Sequence, residues 1–168
     1  MAIDKLPFFE RLSDSERIII AGAGGGYDIF CGLPLYFHLR SLGKEVTLAN
    51  LSFSNLFGVT GRELRPNMIE VGPDSGGVAH YFPERYLSQW FAERGEVVKI
   101  WCFHRTGVQP LAEAYYALSE ELRADTVILV DGGTDSLMKG DEVSLGTPQE
   151  DIASIAAVDE LIYVKKKM

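Results

Sequence analysis

An α/β fold is what this sequence predicts: a mostly parallel sheet of about five strands with helices on both faces. Three observations carry that expectation. Short β-branched and apolar runs recur along the chain, as at 17–21 (RIIIA), 97–103 (VVKIWCF) and 126–130 (TVILV). Segments of helical periodicity separate them. Polar or glycine-rich sequence directly follows the first four runs, as connections between strands and crossover helices require.

Taken in order, Ser13-Asp14-Ser15-Glu16 has the form of a helix capping box, but the compact run after it, bounded by glycines, reads as a buried strand. Residues 22–26 supply a turn, and 28–42 (DIFCGLPLYFHLRSL) read as a helix stopping at Gly43, with Pro34 kinking its first turns. Residues 44–50 are the second strand. The stretch 51–84, rich in Gly, Pro, Ser and Asn, reads as a long connection holding a short strand at 68–71. A helix over 86–94 ends at Gly95, the third strand follows at 97–103, a helix covers 109–123, and 126–130 is the fourth strand. Thr147-Pro148-Gln149-Glu150 combines a capping Thr, Pro at the first helical position and Glu at the third, starting a helix to about residue 158. Residues 161–164 (LIYV) are the fifth strand. Right-handed crossovers between such strands give a three-layer, Rossmann-like architecture, read as a single domain over 1–168.

Charge removes several classes of function. The 168 residues carry 16 Lys and Arg against 24 Asp and Glu, a net charge of −8, which argues against nucleic-acid and anionic-membrane partners because both draw on clustered cations. Lys165-Lys166-Lys167 is the lone basic run and reads as a solvated tail. With 46% hydrophobic and 24% charged residues the composition is that of a globular domain, not of a disordered chain. Cys31 and Cys102 sit in apolar surroundings and read as buried thiols, and no apolar run approaches the roughly 18 residues of a membrane span. A soluble, cytoplasmic protein is expected.

In an open parallel sheet, ligands bind outside the carboxyl ends of the strands, where the strand order reverses. The residues after each strand are therefore the candidates. After the first come Gly24, Gly25, Gly26 and Asp28, whose loop amides and helix start suit an anion, although Asp28 equally suits a helix cap. The NAD fingerprint is not intact: its third glycine falls on Tyr27, and Asn50 stands where the second strand should end in an acid. Asn50 and Ser52 follow the second strand. His104 and Arg105 follow the third, as acid/base and anion-clamp candidates. After the fourth come Asp131, Gly132, Gly133, Asp135 and Ser136. This loop resembles the S-G-G-x-D-S loop of PP-loop ATP pyrophosphatases in five of six positions, but opens on a carboxylate that repels pyrophosphate unless a cation intervenes. Asp131 and Asp135, with Asp141 and Glu142, make an oxygen-rich set suited to a hard cation such as Mg2+. Against that stands a plain structural use, Asp135 and Ser136 capping a turn while Asp141 and Glu142 are solvated. His38 reads as packed or exposed on its helix, His80 as a loop residue, and Trp90, Phe91, Trp101 and Phe103 as core.

Several separated blocks, agreeing in order, resemble the bacterial and archaeal family catalogued as domain of unknown function 1152. They are Ala21-Gly22-Ala23-Gly24-Gly25-Gly26-Tyr27-Asp28, Leu48-Ala49-Asn50-Leu51-Ser52-Phe53, the run from Val130 to Met138 with Gly140-Asp141-Glu142, and Gly146-Thr147-Pro148-Gln149-Glu150-Asp151. The resemblance runs through nearly the whole chain. It implies a Rossmann-like fold and no assigned reaction, and, the family's members being longer, it implies that this chain corresponds to a shortened N-terminal part of theirs.

Two functions follow as expectations. The first is a protein binding a phosphate-bearing small molecule or nucleotide at the carboxyl edge, as a Mg2+-dependent hydrolase or transferase: the first loop and Arg105 on phosphate, Asp131 and Asp135 on the cation, His104 moving a proton. The second is a non-catalytic ligand-binding or homo-oligomeric module pairing through the edge at 161–164.

Overall fold

The computed structural model describes residues 6–77, 80–143, 146 and 148–168. The most apolar runs occupy the middle of the sheet. Strand β1 (Arg17–Gly22) pairs in parallel with β2 (Glu45–Ser52) on one side and β6 (Thr126–Val130) on the other, and β2 pairs in parallel with β5 (Ile100–His104). The stretch read as a long connection holds a hairpin, β3 (Arg62–Arg65) and β4 (Met68–Val71), which joins β5 antiparallel and carries the sheet to seven strands. The full order is β3-β4-β5-β2-β1-β6-β7. The chain therefore winds outward from β1 through β2 to β5, then crosses back to β6, so the order reverses between β1 and β6.

Alternation along the strands builds two cores. Ile18, Ile20, Leu48, Ile100, Cys102 and Ile128 face one layer, made of α2 (Asp28–Cys31), α3 (Leu33–Ser41) and α4 (Pro83–Ala92). Ile19, Ala21, Ala49, Trp101, Phe103 and Val127 face the other, where α5 (Val108–Leu122) packs on α6 (Pro148–Asp159). This is the three-layer Rossmann-like arrangement that the sequence predicts. A further short helix, α1 (Pro7–Arg11), precedes β1.

Several expectations are corrected. The predicted helix 28–42 is two helices meeting at Gly32, with Pro34 in the first turn of the second, where its missing N–H breaks no helical bond. Residues 161–164 are not a strand. Leu161 and Val164 are buried while Ile162 and Tyr163 are exposed, a spacing that pins a bend under the α5/α6 layer, and the chain reaches the sheet only at β7 (Lys166–Lys167), parallel to β6. The lysines are consequently no free tail: Lys166 Nζ bonds Asp14 and Lys167 Nζ bonds Asp159. A two-residue lysine edge is a poor template for strand addition, which removes the motive for pairing through 161–164. Cys31 is exposed, Cys102 buried. Trp90 is exposed, with the Arg94 guanidinium 3.9 Å from its ring centroid. His38 packs edge-on against Phe9. The capping role read for Thr147 lies outside the described residues, as do Val78 and Ala79 beside His80. No helix among the described residues is long and apolar enough to cross a membrane.

Candidate functional site

At the reversal point the loop after β1 and the loop after β6 lie side by side. Ala23 N donates to Val130 O at 2.9 Å, extending the β1–β6 pairing, and the buried Ser154 hydroxyl of α6 donates to Ala23 O at 2.6 Å. Three carboxylates meet there: Asp28 at the start of α2, Asp131 just past β6, and Asp151 in the first turn of α6, each with an oxygen within 4.8 Å of the others. Gly24 makes the approach possible, since a Cβ there would lie 2.6 Å from Asp151 Oδ1.

Backbone amides hold the first two acids in place. Asp28 accepts from Gly24 N at 2.8 Å and Gly132 N at 3.2 Å. Asp131 accepts from Gly133 N at 2.6 Å and from the Ser136 hydroxyl at 2.7 Å. Asp151 differs: it is 3% exposed, and its Oδ1 has no hydrogen-bond partner among the described residues. Burial raises the Asp151 pKa to about 6, with the negative charges of Asp131, Asp28 and Asp135 adding to the rise. Burial also raises Asp28, whereas at Asp131 the burial penalty is outweighed by the Gly133 and Ser136 bonds and the pKa falls.

Chemically, the cluster concentrates negative charge. Two carboxylate charges within 4.8 Å of one another repel by at least about 3 kcal/mol at an effective dielectric of about 20. A proton on Asp151 relieves part of this. A hard divalent cation relieves more: opposed oxygen ligands stand about 4.2 Å apart across Mg2+ and about 4.8 Å across Ca2+, and the three acids offer oxygens within 4.8 Å of one another.

The same geometry redistributes the predicted roles. The amides of Gly24, Gly132 and Gly133, expected to cradle phosphate, are spent on Asp28 and Asp131. Gly25 and Gly26, at φ +97° and +61°, turn the loop. Asn50 is fully buried and donates to Gly26 O at 2.9 Å and to Glu84 Oε1 at 2.7 Å, so it supports the loop from beneath. Ser52 is buried and accepts from Ser54 N. Asp135 stands close enough to raise the Asp151 pKa. Asp141 and Glu142 are exposed, and Glu142 closes its own turn by accepting from Lys139 N and Gly140 N, so neither joins Asp131. His104 ends β5, three strand spacings or about 14 Å from β6, where burial lowers its pKa and its ring packs on Phe57. Arg105 lies over Phe53 and reaches Glu150 at 3.7 Å.

Two residues of this region escape sequence reasoning. Asp151 reads as an ordinary acid in a helix's first turn; its one signal is that this helix follows the acidic loop. Glu84 also occupies a first turn but is fully buried, and burial raises its pKa against the opposing bond from Asn50.

A family model described as "Protein of unknown function (DUF1152)" matches residues 84–165. The matched span is the C-terminal part of this chain, from α4 to the approach to β7. It contains Asp131 and Asp151 and leaves out the first glycine loop, so the resemblance is narrower than the expected near-complete one and does not fall on the N-terminal part. No curated protein and no solved structure matches the chain.

Proposed function

We propose, from the carboxyl edge of the sheet, that this protein, whose residues 84–165 match the DUF1152 family model, binds a divalent cation on Asp28, Asp131 and Asp151 and, through it, a phosphate-bearing small molecule. The observation that carries the reading is the convergence of three acids from separate elements at the reversal point, one of them buried with an oxygen that has no hydrogen-bond partner among the described residues. Asp131 Oδ1 and the two Asp28 oxygens each accept one of these amide bonds and keep a second lone pair for a ligand. When bound, the cation supplies Lewis-acid polarisation of a phosphoryl oxygen, which favours hydrolysis or group transfer over hydride transfer. The residues of the chain fix its position: Gly24 and Gly132 orient Asp28, Gly133 and Ser136 orient Asp131, and burial fixes Asp151. At about 14 Å from β6, His104 takes no proton step in this reading.

Calorimetric titration of EDTA-stripped protein with Mg2+ tests it. The expected result is one site, lost in Asp131→Asn and Asp151→Asn, with inorganic phosphate binding only when Mg2+ is present. A flat Mg2+ isotherm, or phosphate binding that survives EDTA unchanged, overturns the proposal.

A further inference from the structure

Beside the acidic cluster, aromatic rings from three segments gather on the first glycine loop and stay open to solvent. Tyr27 belongs to the loop itself and is 54% exposed; Phe53, the first residue past β2, is 41% exposed; Tyr81, just before α4, is 40% exposed. They form one surface. The Tyr27 and Tyr81 rings meet edge to face at 5.6 Å, and a Cβ at Gly26 would lie 2.6 Å from the Tyr81 hydroxyl and 3.7 Å from the Phe53 ring. Across Phe53 lies the Arg105 guanidinium, 5.3 Å from the ring centroid and itself largely exposed.

Packing alone would bury these rings in one of the two cores, and neither core includes them. Aromatic faces with hydroxyl tips and a stacked guanidinium suit a planar polar ring better than an aliphatic group. The wall is also close to the acids. Gly24, against Asp151, and Gly26, against Tyr81, are two residues apart, so their Cα atoms are separated by at most about 7.6 Å. A short sugar-phosphate spans that interval.

We infer that the wall of Tyr27, Phe53 and Tyr81 stacks the base of a nucleoside phosphate whose phosphate reaches the cation at Asp28, Asp131 and Asp151. The ligand then lies along the carboxyl edge from β6 toward β5, with phosphate at the acidic end and base at the aromatic end, where Arg105 adds a cationic face. The phosphate half of this inference rests on the cation reading above; the base half does not.

Two measurements separate them. Saturation-transfer NMR with adenosine, guanosine, cytidine and uridine in EDTA tests the wall alone, and at least one nucleoside is expected to receive saturation. Calorimetry in Mg2+ then compares its 5′-monophosphate with ribose 5-phosphate, and the monophosphate is expected to bind about tenfold or more tightly, the contribution of stacking one base. Tyr27→Ala with Phe53→Ala should abolish the nucleoside signal and bring the monophosphate down to the ribose 5-phosphate level, while Phe53→Trp keeps both and the Mg2+ isotherm is unchanged throughout. No saturation of any nucleoside, nucleoside signals unaffected by the alanines, or equal affinities for monophosphate and ribose 5-phosphate would each overturn the inference. A nucleoside signal beside a flat Mg2+ isotherm supports the wall and refutes the cation.

Discussion

Replacing Asp151 by Asn should make the metal-free protein more stable at neutral pH, an unusual direction for a change at a buried position. The native carboxyl has a pKa of about 6 against an ordinary value of 3.8. Because the folded state holds the proton more tightly than the unfolded chain, the stability this group confers is complete below pH 3.8 and disappears as the pH rises through about 6. The whole interval, about 2.2 pKa units, is worth about 3 kcal/mol. Between pH 5 and pH 8 the single-site linkage expression leaves about 1.4 kcal/mol of that to be lost. Asn keeps the shape and removes the titration. Urea unfolding of both proteins in EDTA at pH 5 and pH 8 should therefore show Asp151→Asn gaining about 1.4 kcal/mol on the parent over that range. Adding Mg2+ should reverse the order at pH 8, since a ligand at about 1,000 times its Kd stabilises the parent by about 4.1 kcal/mol, more than the roughly 3 kcal/mol by which the variant leads, and the variant not at all. Identical pH slopes for the two proteins would refute the reasoning.

Other outcomes follow from the support beneath the loop. Glu84→Ala removes the acceptor that the fully buried Asn50 amide uses and should cost about 2–4 kcal/mol by urea unfolding, whereas Glu84→Gln, neutral and of equal shape, should cost less than about 1 kcal/mol. Gly22→Ala places a Cβ 2.0 Å from Asn50 Oδ1 and 2.9 Å from Ile29 N, so the Gly22–Asp28 turn must shift; a loss of at least about 2 kcal/mol in unfolding and a weakened Mg2+ isotherm are expected. Asp141→Asn with Glu142→Gln should leave the Mg2+ isotherm unchanged, and a loss of binding in that double variant would move the site back to the acids nearest in sequence.

What the sequence makes legible and what it hides divide along physical lines. The central strands are readable because a strand buried on both faces is a continuous β-branched run, as at Ile18-Ile19-Ile20 and Val127-Ile128-Leu129. The edges carry no such signature. Arg62–Arg65 is an exposed, charged hairpin strand held by its pairing with Met68–Val71, and Lys166–Lys167 is a strand because β6 lies beside it. The apolar run at 161–164 misleads because Leu161 and Val164 face a helix layer three residues apart and not a sheet two residues apart. The site divides in the same way. The reversal of strand order correctly singles out the loops holding Asp28 and Asp131, but Glu142, near in sequence, accepts bonds within its own turn and Asp141 is exposed. Asp151, 123 positions from Asp28, arrives on α6, whose Ser154 hydroxyl bonds the Ala23 carbonyl just past β1. Proximity of that kind belongs to topology. The aromatic wall is hidden for the same reason, since Tyr27, Phe53 and Tyr81 become neighbours only when β1, β2 and the segment before α4 are brought to one edge.

Anomalous diffraction from crystals grown in Mn2+, which substitutes for Mg2+ at oxygen ligands and scatters anomalously, tests the central claim most directly. A single strong peak among Asp28, Asp131 and Asp151, absent from Asp151→Asn crystals, is the result the cation reading predicts. A peak elsewhere, or none at those three carboxylates with Mn2+ in excess, would contradict it.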